Sequence, residues 1–205
     1  MNSQEKNSLF PEFPKLLFDE LWLNKVHDLL MKLQLYDQLF GTEEKVGVLN
    51  RVASALFYFV QKALESDIIS TTARLIENRK TISIPKLIGE IRKQDEKINH
   101  ANLDSDQKKF RAEMYELVNA FESKMPETKR LLISRNQFVA HNAPKKPKAE
   151  SGASIKDIKE ITNAIKAILL KVSQYCRDTD IIFRPFNEFK GKDGDALIEF
   201  IQESK

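Results

Sequence analysis

The punctuation of this chain limits what it can fold into more than any other feature. Six glycines and seven prolines are spread over 205 residues, and neither occurs between Gly47 and Pro85 or between Gly89 and Pro126. Sheets need tight turns, and turns draw on Gly and Pro for backbone angles that other residues resist. Stretches this long without either leave little room for alternating strands and favour long helices. The expected fold class is all-α: a single-domain helical bundle over residues 1–205, with its core at about residues 16–178.

Start and stop signals divide the bundle. A first amphipathic helix is predicted from about Leu16 to Leu39, carrying Leu17, Leu21, Val26, Leu29, Leu30 and Leu33, with Gly41 at its end. Thr42 followed by Glu43 and Glu44 supplies a capping hydroxyl and acids in a first turn. The long second helix opened there is expected to reach about Asn78 along the stripe Leu49, Ala53, Leu56, Val60, Leu64, Ile68 and Leu75. Within it Phe57, Tyr58 and Phe59 read as core rather than as a base-stacking platform, because aromatic residues at helical spacing usually pack against neighbouring helices.

Ser83 with Pro85 opens a third helix, Asp104 a fourth reaching about Lys124, and Pro126-Glu127 a fifth, which Pro144 and Pro147 forbid to continue. Residues 143–153, rich in Lys, Pro, Ser and Gly, read as an exposed basic loop. Ser154 with Asp157 resembles a capping box for a sixth helix to about Asp178. Residues 179–205 form a short C-terminal extension ending in a helix from Asp195.

Several function classes fall away. No apolar run approaches the roughly 18 residues of a membrane span, and the N-terminus lacks a signal-peptide pattern, so a cytoplasmic protein with no membrane partner is expected. The lone Cys176 excludes an internal disulfide framework and reads as a packed small hydrophobe. His27, His100 and His141 are too scattered for a zinc-type cluster, and no metal or cofactor is expected. His27 and His100 stand in no motif.

The formal net charge of +3 conceals a local excess. Between Glu127 and Glu150 lie Lys129, Arg130, Arg135, Lys145, Lys146 and Lys148 and no acidic residue, whereas the rest of the chain is slightly acidic. That is the footprint of a phosphate-binding patch, although a solvated lysine loop gives the same count.

The same segment, "SRNQFVAHNAPKKPK", holds an anomaly. Leu131, Leu132, Phe138 and Val139 form one apolar stripe of the fifth helix, and Arg135 falls near its middle. A guanidinium there must be paired inside the bundle, reach out to water, or line a groove that a ligand or a second subunit completes. Leucine suits the position, so Arg135→Leu is expected to leave stability unchanged or raise it. His141 lies about 120° round a straight helix from Arg135. The length of the arginine, or a loosened last turn before Pro144, brings both to one cleft.

Arginine followed by asparagine, with histidine a few residues on, resembles the signature of the HEPN superfamily of helical ribonucleases and toxins. The stretch "LYDQLFGTEEKVGVLNRVASALFYFVQKALESDIISTTARLIENRKTISIPKLI" is similar to its AbiU-like abortive-infection branch, in the Leu-Phe before a long helix, the Leu-Asn and aromatic pair early in it, and Asp67 and Arg74-Leu75 later. The resemblance covers about residues 35–142, and its fold is a HEPN-like bundle with a long second helix.

What the resemblance implies is a metal-independent endoribonuclease acting in phage defence or stress-induced growth arrest, with Arg135, Asn136 and His141 as the catalytic set. A histidine near neutral pKa moves the proton of an RNA 2′-hydroxyl, and a guanidinium stabilises charge on the phosphate. Asn136 then orients the phosphate or the histidine, while Lys145, Lys146 and Lys148 hold the backbone of single-stranded RNA. Some HEPN toxins carry a tyrosine two residues after the histidine that a partner enzyme modifies. Here that position is Ala143, so an antitoxin protein, if there is one, is of another kind.

Asp67 and Arg74, seven apart on one helix face, read as a structural ion pair, with support of Arg135 as the alternative. The unpaired look of Arg135 also suggests a homodimer with the fifth helix of each subunit in a shared groove, a composite site with two copies of His141. The other functional class is a catalytically inactive HEPN module that binds RNA or protein, or dimerises, without cleaving.

Overall fold

The computed structural model describes residues 15–77, 82–135, 153–173 and 193–203, and among them helix is the only regular secondary structure. The all-α expectation holds. Helix α1 (Lys15–Asp19), a π-helical segment (Glu20–Val26) and α2 (His27–Phe40) follow one another without a gap and form the expected first helix. Their inner face buries Phe18, Leu21, Val26 and Leu29.

Gly41 and Thr42 alone join α2 to α3 (Glu43–Ile76), which returns antiparallel to it. The Thr42 hydroxyl accepts from the Lys45 N–H at 3.3 Å, as the sequence signalled. The pairing direction shows in the cross-links: Tyr36 donates to Glu65 at 2.9 Å, and Lys32 reaches Asp67 at 2.6 Å. Lys32, on the neighbouring helix, therefore takes the ion-pair role that the sequence assigned to Arg74.

The apolar stripe of α3 is buried only at its two ends. Val48, Leu49, Ile68, Leu75 and Ile76 are core, yet Leu56, Val60, Tyr58 and Phe59 are exposed, so the expected core role of the latter two aromatics fails. The reason lies at Ala53, whose backbone leaves the helical region (φ −156, ψ 71). A stripe drawn through residue 53 assumes unbroken steps of about 100°, and a non-helical residue resets the phase. Phe57, half-buried, still packs on the core.

Helix α4 (Ile84–Glu96) carries Pro85 in its first turn, and α5 (Ser105–Glu122) starts with a reciprocal capping box between Asp104 and Gln107. The two are joined by Arg111, which meets both oxygens of Asp95 at 2.6 and 2.9 Å, while Tyr115 donates to the same carboxylate at 2.8 Å. Helix α6 (Met125–Ser134) leads to α7 (Ile155–Ser173), whose Ile158, Ile161, Ile165, Ile168 and Leu169 are fully buried against α3, α5 and α6. Each such side chain stabilises the bundle by about 1.5–3 kcal/mol. Ser154 and Asp157 cap α7 reciprocally, at 2.8 and 3.1 Å.

Helix α8 (Asp193–Glu203) starts two residues before the expected Asp195 and packs on α2 and α3. Gly194 makes this possible, because its N–H donates to the Gln38 side chain at 3.2 Å and a Cβ there would lie 2.6 Å from Gln38 Cβ. The C-terminal extension thus ends docked on the bundle. The basic loop at 143–152, Cys176 and the segment 179–192 lie outside the described residues.

Candidate active site around Arg135

Helix α6 is set by its two ends. Glu127 sits in the first turn, where the helix dipole favours an acid, and the buried Thr128 hydroxyl donates to the Lys124 carbonyl at 3.0 Å. One turn on, Leu131 is fully buried and fixes the rotation of the helix. Arg135, a further turn along on the same face, points inward for that reason. Its backbone remains helical (φ −57, ψ −47) and its N–H bonds back to the Leu131 and Leu132 carbonyls.

Of the three fates open to a guanidinium in an apolar stripe, the structure shows pairing within the chain. Arg135 Nη2 meets Glu77 Oε1 at 3.0 Å, with the two side chains 20% and 22% exposed. Glu77 is the C-terminal cap of α3, its N–H bonded to the Ala73 carbonyl. Arg135 Nε is buried and finds no acceptor among the described residues. A guanidinium carries five N–H donors. Among the described residues the pair therefore leaves donors of Arg135 uncommitted while its charge is held in place.

Sequence reading missed Glu77. A signal was there: an acid at a helix C-terminus opposes the helix dipole, so its presence asks for a cation from another element.

The acid-free stretch around Arg135 is not acid-free in space. Arg130 reaches Asp157 of α7 at 3.2 Å and Glu127 at 3.8 Å. Burial works against charge on Asp157, but hydrogen bonds from Ser154 together with Arg130 outweigh it and hold the carboxyl below its ordinary range. Lys129 is exposed. Asn136, His141, Lys145, Lys146 and Lys148 lie outside the described residues, so Arg135 is the member of the expected set that the structure places.

A family model of HEPN proteins, AbiU2, matches residues 15–199. The chain belongs to the HEPN AbiU2 family. The match starts in α1 and ends within α8, so the AbiU2 domain extends well past the 35–142 stretch that carried the sequence resemblance and takes in the docked C-terminal helix. Comparisons with curated proteins and with solved structures give no match to this AbiU2 chain. Among the described residues no helix is long and apolar enough to cross a membrane, and no group of three His, Cys, Asp or Glu side chains stands close enough to hold a metal ion.

Proposed function

We propose that this AbiU2-family chain is an endoribonuclease of abortive infection or stress-induced growth arrest, cleaving RNA without a metal ion. The observation that carries the reading is Arg135: an inward-facing guanidinium held at 3.0 Å by Glu77, with a buried Nε that no described group satisfies. Active sites keep such incompletely satisfied donors for the charge that develops in a reaction.

In the proposed reaction the 2′-oxygen of RNA forms a bond to its own phosphorus and the bond to the 5′-oxygen breaks. His141 takes the proton from the 2′-hydroxyl, and a protonated imidazole or water returns one to the 5′-oxygen. Arg135 stabilises the negative charge growing on the phosphate oxygens, and Asn136 orients the phosphate or the imidazole. Lys145, Lys146 and Lys148 hold the RNA backbone without reading sequence. The chemistry leaves a 2′,3′-cyclic phosphate.

The same ion pair also favours a second reading, in which Arg135 and Glu77 form a structural link in a HEPN module that binds but does not cut. Expression in cells separates the two. A ribonuclease arrests growth and fragments RNA, and Arg135→Ala and His141→Ala each relieve both effects while the protein stays folded. An inactive module leaves RNA intact in all three strains.

A further inference from the structure

Arg74 is a cation that the inter-helix ion pairs of α3 leave over. Its neighbours Thr72, Ala73, Leu75 and Ile76 are buried, so its own side chain leaves the helix on the solvent side and is exposed. The nearest acids along the helix are committed elsewhere: Asp67 meets Lys32 at 2.6 Å, and Glu77 meets Arg135 at 3.0 Å. Among the described residues Arg74 has no ion-pair partner.

Residues three apart on a helix stand with their Cβ atoms about 5–6 Å apart, so Arg74 flanks the carboxylate that holds Arg135. That ion pair also brings together two acid-free stretches of the chain. From Asn78 to Gly89 the sequence has Arg79, Lys80 and Lys86 and no acid, and from Thr128 to Ala149 it has six cations and no acid. Lys86 is exposed in the first turn of α4, where the helix dipole favours an acid and none is present. Positive charge thus gathers on both sides of Glu77 beyond what the helices themselves call for, and such a surface suits a polyanion.

Resting on the ribonuclease reading above, we propose that Arg74 holds the RNA phosphate next to the one that is cleaved. Its guanidinium, at the solvent edge, can meet two oxygens of one phosphate in a fork, while Arg135, deeper and on the neighbouring helix, faces the phosphate that reacts. The strand then crosses the end of α3, with both phosphates met within about one helical turn of Glu77. Arg74 touches a group that does not change in the reaction. It therefore binds ground state and transition state alike, and it acts on KM rather than on kcat.

The test removes the charge from each side of the contact in turn. On unmodified single-stranded RNA, Arg74→Ala of the full chain is expected to raise KM about 10-fold, with kcat within about twofold of wild type and the melting temperature unchanged. Arg74→Lys, which keeps the charge without the fork, is expected to fall between the two. A short RNA with one mapped cleavage position is then made in three forms, with ordinary phosphates or with a neutral methylphosphonate on the 5′ or the 3′ side of the cleaved phosphate. All three carry 2′-O-methyl sugars at the two flanking positions. One of the two methylphosphonates is expected to lower the kcat/KM of wild type about 10-fold and that of Arg74→Ala less than about twofold. An Arg74→Ala chain with the KM of wild type, with its loss in kcat instead, or with equal losses on all three forms overturns the role of Arg74 and leaves the ribonuclease reading standing. A wild type that leaves unmodified RNA intact overturns both.

Discussion

Glu77 at the end of α3 and Arg135 at the end of α6, 58 residues apart in sequence, are joined by a 3.0 Å ion pair that ties the two helix ends together. The pair changes what a substitution at Arg135 does. From sequence, leucine there is neutral or stabilising. With Glu77 opposite, Arg135→Leu removes one half of a mostly buried ion pair and is expected to lower stability by about 1–3 kcal/mol in urea unfolding. Arg135→Leu combined with Glu77→Leu is expected to recover most of that loss. Losses that simply add in the double variant would show that the two side chains do not depend on each other.

Glu77 is also expected to matter to the reaction as a positioning residue. Glu77→Gln keeps an acceptor for Arg135 but removes the charge, so the guanidinium is held less firmly. Its kcat for RNA cleavage is expected to fall several-fold with little change in KM, since Arg135 acts mainly on charge developing in the transition state. A change confined to KM would place Glu77 in RNA binding instead.

Much of the bundle was legible in the sequence because its helix ends are signed by local chemistry. Thr42, Asp104 and the Ser154–Asp157 pair cap the helices they announced, and Pro85 stands in the first turn of its own. What was not legible depends on distant partners. The ion pair of Asp67 with Lys32 and that of Arg135 with Glu77 join different helices, and no periodicity reports them. The exposed middle of α3 was hidden by the kink at Ala53, since alanine carries no breaking signal. At the candidate site, the sequence singled out Arg135 by its misfit in an apolar stripe, and the structure explains that misfit with a carboxylate from α3.

Acid should weaken the link between α4 and α5. Burial opposes charge on Asp95, but Arg111 and Tyr115 outweigh it and hold the carboxyl below its ordinary value. A carboxylate depressed in the folded state contributes stability above its unfolded pKa of about 4, and that contribution is lost as pH falls through the folded value. The melting temperature is expected to hold down to about pH 5 and to drop below about pH 4, with a shallower drop in Asp95→Asn. An unchanged acid slope in that variant would remove Asp95 from the account.

Close approach at Gly194 gives a test of how α8 is docked. A side chain there meets Gln38, 2.6 Å from the glycine's Cβ position, so Gly194→Val is expected to cost about 1–3 kcal/mol and to speed amide exchange in α8 first. Unaltered exchange in α8 would mean that the helix gains little from this contact.

The most direct test of the central claim is the chemistry of the RNA ends. Purified wild type, Arg135→Ala and His141→Ala are incubated with single-stranded RNA and excess chelator, and the products are read by mass spectrometry. Wild type is expected to cleave and to leave 2′,3′-cyclic phosphate or the derived 3′-phosphate. Each folded variant is expected to lose roughly 100-fold or more of that activity. Cleavage undiminished in both variants, or 5′-phosphate and 3′-hydroxyl ends that disappear with chelator, would contradict it.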